Sequence, residues 1–362
     1  MTEREKQIIN ESIAELETIM EVSLGQMAKD LVKSALGRSV RTKDPMFWPA
    51  GMLLLGLAEA RKRAVPDGEE GLVGKIDEAF LGHIRLWKEK YDKKISYIDD
   101  ALAGVAFIRL YEQLEEGRLR TECRSIADGI YKYLLGAARD GEETIVYNSD
   151  RSACNVFADG IGQTSMFLSA YAKAFGVDDA RKLAKLQLKN FLKHGMDERS
   201  GLPYHGYALL DDGAICEKRG ILSWGRAAGW LIMGLSEYVK GSESRLENQG
   251  STLVQWYREL SKALLTYQKP GGGYGWQVQA VDGHLDTSAT GMIVYGLLNG
   301  AGAEGDDVEA SLQALLTNAD GGKVTSALSS CDDFGVHYQN YGAYPWGQGA
   351  ALAALSLGNI EE

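Results

Sequence analysis

The chain has 362 residues, of which 45% are hydrophobic and 25% charged, and its formal net charge is −11. This composition is typical of a soluble globular protein and excludes a disordered chain, which would lack the apolar residues that offset the entropy of ordering. The acidic balance, with Lys and Arg dispersed along the chain, argues against a nucleic-acid partner. A chain of this length can bury a sizeable core without staples.

The sequence carries no pattern for secretion, membrane insertion or metal binding. Its first six residues, Met1–Lys6, are mostly polar, and its longest apolar stretches, such as Gly51–Leu57, are too short to span a bilayer. The five His share no ligand spacing, so we expect neither a metal nor a cofactor. We expect a cytoplasmic protein whose cysteines stay reduced, because none of the four forms a CxxC pair: Cys123, Cys154, Cys216 and Cys331.

Six glycine-rich segments recur along the chain. Each begins with an aromatic or apolar residue, continues with small or polar residues, and ends in an apolar run of helical period. The residues that lead these segments lie 50 to 67 positions apart and are, in chain order, Trp48, Ile98, Phe157, Trp224, Leu285 and Trp346. A repeat of this kind predicts six similar helices, each apolar on nearly every side and therefore buried.

Amphipathic stretches separate these six segments. Each has apolar residues at positions i, i+3, i+4 and i+7 among Lys, Arg and Glu, which is typical of a helix with one solvent-facing side. They are Gly71–Tyr91, Arg118–Ala138, Ala180–His194, Leu246–Tyr267 and Asp307–Asn318. An exposed helix that alternates with a buried one predicts an all-α (α/α)6 toroid, or six-hairpin barrel, of about twelve main helices, with residues 1–362 as a single catalytic domain. The alternative, an open helical solenoid, usually has shorter repeats of about 34 to 47 residues.

A closed toroid would place the amino-terminal ends of its six inner helices around one cavity. Their unsatisfied N–H groups and positive dipole ends would favour an anion there. Aromatic rings, carboxylates, one Arg and one His near these helix starts suggest a sugar site, although any single Trp is more often a core residue. The candidate site residues are Trp48, Asp99, Asp159, His205, Trp224, Arg226, Trp230, Thr287, Ser288 and Trp346.

Asp159 allows two interpretations. Its apolar neighbours would favour a protonated carboxyl group, as a general acid requires, but Asp directly before a helix is also a common capping residue. The same alternatives hold for Asp99 and Asp100, with capping favoured. Arg226 lies between Trp224 and Trp230 at a helix start, which suits the binding of an anionic group. His205 lies in a turn, where it could bind a hydroxyl or a carboxylate.

Five short motifs, in the same order, resemble the unsaturated glucuronyl and rhamnogalacturonyl hydrolases of glycoside hydrolase families 88 and 105. Trp-x-Arg-x-x-x-Trp after a Tyr-His-Gly turn is the most specific of them, and the resemblance covers nearly the whole chain. The motifs are Phe157-Ala-Asp159, Gly201-Leu-Pro-Tyr-His205-Gly, Trp224-Gly-Arg226-Ala-Ala-Gly-Trp230, Asp286-Thr-Ser-Ala-Thr and Gly347-Gln-Gly-Ala.

The resemblance implies an (α/α)6 barrel that removes a 4,5-unsaturated uronic acid from the non-reducing end of an oligosaccharide. It implies that Asp159 protonates C4 of the vinyl ether and activates a water that adds at C5. The hemiketal then opens, and the sugar leaves as a keto acid. The resemblance also assigns Asp99 to a second aspartate near the reacting ring, and makes His205, Trp224, Arg226 and Trp230 substrate-binding residues.

Other functions remain open on the residues alone. An inverting glycosidase on the same barrel could use Asp99 and Asp159 as its two carboxylates. A sugar epimerase would favour a pair of histidines, and His205 has no obvious partner in the sequence. A non-enzymatic helical repeat protein would present a broad, charge-patterned concave surface instead of a ring of Trp, Asp and Arg.

Overall fold

The computed structural model of the chain describes residues 1–21, 44–147, 154–210, 214–240, 252–331 and 339–358. Within these ranges the protein is mainly helical, with twelve α-helices and a 3₁₀ turn at Ile98–Asp100. The helices are α1 (Glu3–Thr18), α2 (Trp48–Ala64), α3 (Glu70–Lys90), α4 (Ala101–Gln113), α5 (Arg118–Leu135), α6 (Ala158–Phe175), α7 (Asp178–His194), α8 (Gly225–Lys240), α9 (Thr252–Thr266), α10 (Thr287–Asn299), α11 (Gly305–Thr317) and α12 (Pro345–Leu357).

The helices α2, α4, α6, α8, α10 and α12 form an inner ring. Each packs against the next in the chain, and α12 packs against α2, which closes the ring. Every one of them begins within three residues of a lead residue of the six repeated segments. The predicted (α/α)6 toroid is therefore confirmed, and the open solenoid is excluded because its first and last buried helices would not meet.

Glycines let the inner helices approach closely. A Cβ on Gly162 in α6 would lie 2.3 Å from the carbonyl oxygen of Trp230 in α8, and one on Gly349 in α12 would lie 2.4 Å from the carbonyl group of Met52 in α2. No side chain fits at such distances, so a larger residue would push the helices apart. All four contacting residues lie in the first two turns of their helices, so neighbouring inner helices begin at the same end of the ring.

The outer layer consists of α1, α3, α5, α7, α9 and α11. The five after α1 are amphipathic as expected; in α7, for example, Leu188 is buried and Lys189 faces solvent. The helix α1 completes this layer by packing on α12, α2 and α3. There the side-chain amide of Gln348 in α12 donates hydrogen bonds to Ile8 O and Ser12 Oγ, both at 3.2 Å. Residues 246–251 of the predicted Leu246–Tyr267 helix lie outside the described residues.

Short antiparallel strands occur in the loops between helix pairs. The largest sheet has the order β1 (Cys154–Phe157), β2 (Gly206–Leu210) and β3 (Ile215–Arg219). Two two-stranded sheets pair β4 (Ala319–Asp320) with β5 (Lys323–Val324) and β6 (Ala327–Leu328) with β7 (Tyr341–Gly342). Phe157 pairs with Gly206 in the first sheet, so the start of α6 lies beside the His205 turn.

A buried charge network lies where the inner helices end. The Arg109 guanidinium in α4 donates hydrogen bonds to Glu59 of α2, at 3.0 Å, and to Glu237 of α8. Tyr295 of α10 donates to Glu59 at 2.8 Å, and Asn299 of the same helix donates to Glu237 at 3.1 Å. Burial opposes the Arg109 charge, yet Glu237, Tyr295 and Glu59 hold the pKa of Arg109 well above its ordinary value. We call these five residues the axial network.

Three observations on the described ranges bear on other functions. No helix in them has both the length and the apolar composition needed to cross a membrane. No three or more of their His, Cys, Asp and Glu side chains are grouped so that they could hold a metal ion. Cys123 and Cys216 are free thiols, and the side chain of Cys154 lies outside the described residues.

Candidate active site

The candidate site residues gather at the end of the ring where the inner helices begin. Trp48 and Thr287 are the first residues of α2 and α10, and Asp159, Arg226 and Trp346 are the second residues of α6, α8 and α12. These ends present unsatisfied backbone N–H groups, which favour negative charge in the space between them. We call this the open end of the barrel.

Aromatic rings form one wall of the open end. The Trp48 ring meets the Trp230 ring edge-on at 6.2 Å between centroids and lies 5.0 Å from the Trp346 ring. Tyr344 stacks on Trp346 at 4.7 Å, with an angle of 5° between the planes. Trp230 and Trp346 are buried, whereas Trp48 and Tyr344 are half-buried. Trp48 and Tyr344 therefore offer this wall's accessible surface for a sugar ring, and Trp230 and Trp346 support them from behind.

Asp159 lies next to His205. One carboxylate oxygen of Asp159, Oδ2, is 3.4 Å from His205 Nε2, and the Asp159 side chain is 21% exposed. This oxygen is buried and has no hydrogen-bonding partner among the described residues. The His205 ring is buried and packs on Phe157 and Trp224, with centroid distances of 5.1 and 4.3 Å. A carboxylate with one uncommitted oxygen, beside a fixed imidazole, can accept or donate a proton.

The structure resolves the capping question that the sequence leaves open. Phe157 occupies the capping position of α6, and no side chain caps that helix. Asp100 occupies the capping position of α4, and no side-chain hydrogen bond caps that helix either. Asp286, in contrast, caps α10 by accepting a hydrogen bond from the backbone N–H of Ser288. Capping therefore explains Asp286 and, at the start of the 3₁₀ turn, Asp100, whose side chain accepts from the backbone N–H of Tyr97, but neither Asp159 nor Asp99.

Asp99 is fully buried in the 3₁₀ turn before α4. Its Oδ2 accepts a hydrogen bond of 2.8 Å from the hydroxyl group of Tyr147, which packs edge-on against Phe157 at 4.9 Å. A Cβ on Gly160 would lie 2.9 Å from the Ile98 side chain and 3.1 Å from the Tyr147 ring. The first turn of α6, which carries Asp159, is thus held against the turn that carries Asp99.

Arg226 is buried and makes several contacts within the protein. Its guanidinium group donates hydrogen bonds to the carbonyl oxygens of Leu328, at 2.8 Å, and Ser329, at 2.9 Å. It lies 5.0 Å from the Trp224 ring and 5.9 Å from the Trp346 ring. The cation is therefore fixed between the two rings, and the same contacts hold the β6 segment at the open end.

Thr287 and Ser288 are fully buried below this segment. Thr287 Oγ1 donates to Thr325 O at 2.7 Å, and Ser288 Oγ donates to Asp286 Oδ1 at 2.5 Å. Asp286 Oδ1 also accepts from the backbone N–H of Leu328 at 3.0 Å. Both buried hydroxyl groups therefore donate to acceptors within the protein itself. Their substrate-binding role stays a prediction.

Several residues at the open end were absent from the sequence prediction. Tyr147 lies in the turn-rich loop Asp140–Ala153, residues 148–153 of which are outside the described ranges. Tyr344 and Tyr341 precede Trp346 closely enough to have been noticed. Burial, and then the charge of Asp286, raise the pKa of Tyr341 to about 12, although Arg226 opposes this shift. Helical periodicity could not find these tyrosines because they lie in loops and short strands.

Comparison with solved structures shows the same fold in distant relatives. A possible member of glycoside hydrolase family 105 from Klebsiella pneumoniae superposes with a TM-score of 0.75 at 16% identity, over 99% of this chain and 93% of that one. A similar protein from Salmonella enterica gives 0.74 at 16% identity, over 96% and 93%. The unsaturated glucuronyl hydrolase of Bacillus sp. GL1 gives 0.65 at 15% identity, over 88% and 87%.

Sequence comparison gives the family. None of the curated proteins matches this chain. The sequence model of glycosyl hydrolase family 88 matches residues 26–356, a span that contains every candidate site residue and, apart from the last residue of α12, all six inner helices. The chain belongs to glycosyl hydrolase family 88 and is a glycosidase.

Proposed function

We propose that this glycosidase removes a 4,5-unsaturated uronic acid from the non-reducing end of lyase-generated oligosaccharides by hydrating its C4=C5 double bond. The similarity to the Bacillus enzyme, which is named an unsaturated glucuronyl hydrolase, supports this substrate class. The alternative is an inverting glycosidase in which Asp99 and Asp159 act as a pair.

One observation carries the proposal. Among the candidate carboxylates at the open end in the described part of the chain, Asp159 is the one that solvent reaches, with a side chain 21% exposed. Asp99, Asp100 and Asp286 are fully buried. Hydrolysis of a saturated glycoside requires two carboxyl groups that flank the scissile bond, whereas hydration of a vinyl ether requires one group that first donates and then accepts a proton.

The proposed reaction begins with Asp159 in its protonated form. Asp159 donates its proton to C4, and positive charge develops on C5 and the ring oxygen. The Asp159 carboxylate then takes a proton from a water molecule as the water oxygen bonds to C5, which restores the acid. The hemiketal opens to a 5-keto group, and the hemiacetal left at C1 expels the leaving sugar. One water is consumed in all.

The neighbouring residues have positioning roles in this proposal. His205 borders Asp159, with its Nε2 3.4 Å from Oδ2, and its ring is fixed by Phe157 and Trp224. The positive charge of Arg226 favours the uronate carboxylate in the field of the inner-helix ends. Trp48 and the wall behind it pack against the apolar face of the sugar.

Replacement of Asp159 by Asn tests the proposal. Asn keeps the size of Asp but cannot transfer a proton to carbon, so the rate of loss of the double-bond ultraviolet absorbance should fall by about 10² to 10⁴-fold. Binding of an unsaturated disaccharide, measured by calorimetry, should persist. Asp179→Asn is the matched control, because Asp179 is also the second residue of its helix, α7, but is exposed and paired with Lys182 at 2.8 Å.

Two results would overturn the proposal. One is an Asp159→Asn variant that retains most of its activity while Asp179→Asn behaves like the wild type. The other is cleavage of saturated glycosides as fast as unsaturated ones. Either result would favour the paired-carboxylate glycosidase, and replacement of Asp99 would then be expected to abolish cleavage of saturated substrates.

The proposal extends to organisation and location. We infer that residues 1–362 work as one catalytic domain, since α1 completes the outer layer beside α12. We place the reaction in the cytoplasm, where the free thiols of Cys123 and Cys216 would stay reduced.

A further inference from the structure

Asp100, the neighbour of Asp99, holds the turn before α4 from within. It is the last residue of the 3₁₀ turn, and it is fully buried. Its Oδ2 accepts hydrogen bonds from the backbone N–H groups of Ser96, at 2.8 Å, and Tyr97, at 3.1 Å. Two bonds to one oxygen tie the start of the turn to its end, with Asp99 between them.

The second oxygen of this carboxyl group, Oδ1, is buried and has no hydrogen-bonding partner among the described residues. The groups whose charges act on Asp100 are also acidic. Burial raises the pKa of Asp100 well above its ordinary value, and the charges of Asp99 and Asp44 raise it further, against the two backbone hydrogen bonds. Tyr133 of α5 contacts the same turn through a 2.7 Å hydrogen bond to Ser96 O.

An ionised Asp100 would therefore be a buried charge beside a second buried carboxylate, with one oxygen unsatisfied. A protonated Asp100 removes this repulsion. The two N–H donors already occupy Oδ2, so the proton would reside on Oδ1.

We infer that Asp100 is a positioning residue for the proposed hydration: its carboxyl group works in the neutral form, holds the Ser96–Asp99 turn, and leaves the negative charge on Asp99. The inference rests on the proposed function for the reaction that it serves. Asp99 then keeps the hydrogen bond that its Oδ2 accepts from Tyr147 at 2.8 Å. Gly160 lets the Asp159 turn lie directly against Ile98 and Tyr147, so any shift of the Asp99 turn also moves Asp159.

Three substitutions distinguish a neutral role of Asp100 from the role of the charge on Asp99. Asp100→Asn keeps the shape, the accepting oxygen and the absence of charge, so kcat should stay within about threefold of the wild type. Asp100→Ala releases the turn, and kcat should fall on the order of 10²-fold, the size expected for a displacement of about 1 Å, with KM little changed. Asp99→Asn removes the charge of the neighbouring carboxylate, and the kcat of this variant should fall by at least about 10²-fold.

Infrared difference spectroscopy measures the protonation state of Asp100 without any substrate. The infrared difference between the wild type and Asp100→Asn at pH 7 should contain the carbonyl band of a protonated carboxylic acid. Because this readout uses only the wild type and Asp100→Asn, it decides the question even if Asp100→Ala does not fold. It also separates the two proposals, since hydration can fail as the reaction while Asp100 is still found protonated.

Three outcomes would overturn the inference. The first is an infrared difference that shows only an ionised carboxylate. The second is an Asp100→Asn variant that loses as much kcat as Asp99→Asn, since Asp100 would then act as a charge. The third is a folded Asp100→Ala variant with wild-type kcat, since the turn would then need no support.

Discussion

The two ends of the barrel treat buried polar groups in opposite ways. In the axial network, Arg109, Glu59, Glu237, Tyr295 and Asn299 bond to one another, and Glu237 Oε1 is the one atom of the network that lacks a partner in the described structure. At the open end, several buried side-chain oxygens have no hydrogen-bonding partner among the described residues, including those of Asp100, Asp159, Asp286 and Tyr341.

This difference separates an end of the barrel where buried polar groups stabilise the fold from an end where some of them stay unsatisfied. Unsatisfied buried polar atoms are uncommon in folded proteins and call for an explanation. The paired charges join four inner helices across the ring axis, which fixes how the helices meet. The unpaired oxygen of Asp159 belongs to a side chain that solvent reaches, whereas those of Asp100 and Asp286 belong to fully buried side chains behind it.

The largest expected effect is at the axial network, where the inner helices end. Arg109→Met leaves Glu59 and Glu237 as uncompensated buried carboxylates and should lower the free energy of unfolding by about 3 to 5 kcal/mol. Urea denaturation measures this loss. Glu112→Gln is the control: the Glu112 side chain is 35% exposed and lies 3.6 Å from Arg109, and its loss should cost less than about 1 kcal/mol. A large change in KM for the folded Arg109→Met protein would contradict the separation of the two ends.

The second effect concerns Arg226 at the open end. Arg226→Ala removes a charged hydrogen-bond donor and should lower kcat/KM for the unsaturated uronide by about 10²-fold, equivalent to about 2.7 kcal/mol. It should also lower the thermal midpoint, because two carbonyl groups of the β6 segment lose their donor. With the uronate methyl ester as substrate, which lacks the negative charge, Arg226→Ala should lower kcat/KM much less.

Thr325→Val is the control for Arg226. It removes a 3.0 Å hydrogen bond from Thr325 Oγ1 to Asn318 O, next to the same segment, without removing a charge. We expect kcat/KM within about twofold of the wild type and a stability loss of about 1 kcal/mol. Equal losses for the acid and its methyl ester in Arg226→Ala would mean that Arg226 only anchors the segment.

The smallest effect is acid sensitivity close to the open end. His83 of α3 is buried, its Nε2 lies 2.6 Å from Pro45 O in the loop that leads into α2, and burial lowers the pKa of His83 to about 4. Folding therefore favours the neutral ring, and stability present above pH 6.5 is lost as the pH falls towards 4. Between pH 7 and pH 5 the loss should be about 2 kcal/mol.

His83→Gln should remove most of this loss, since Gln can keep a donor to Pro45 O but cannot be protonated. Urea midpoints at pH 7 and pH 5 measure it. His284→Gln, a change at an exposed histidine, is the control and should respond to pH like the wild type. An unchanged acid response in His83→Gln would mean that other groups govern acid sensitivity.

Much of the fold was predictable because the inner helices repeat a local pattern. Small residues at their starts and apolar residues all round place each of them to within a turn. The helix α1 was missed because it has no such pattern, and its partner residues in α12 lie up to 340 positions away. The β1–β3 sheet was missed because its strands have five residues or fewer.

The site was predictable where residue types and helix starts coincide. Asp159, Arg226 and Trp346 fall at the second position of an inner helix, so their common location followed from the repeat. What each side chain contacts did not, because hydrogen bonds such as Arg226 to Leu328 O join residues 102 positions apart. The sequence does carry a signal for the axial network: Glu59, Arg109 and Glu237 are charges within or directly after the apolar runs of their helices.

The contact between α12 and the helices α1 and α2 has a consequence for how the protein is made. Ribosomes add about 5 to 20 residues per second, so the apolar faces of α2 stay uncovered on the order of tens of seconds until α12 has been synthesised. Contacts over such separations also make folding slow. Growing chains that share a polysome can therefore bind one another through these uncovered faces. Yield in the cell should consequently depend on chaperones that shield the first inner helices until the last one has been synthesised.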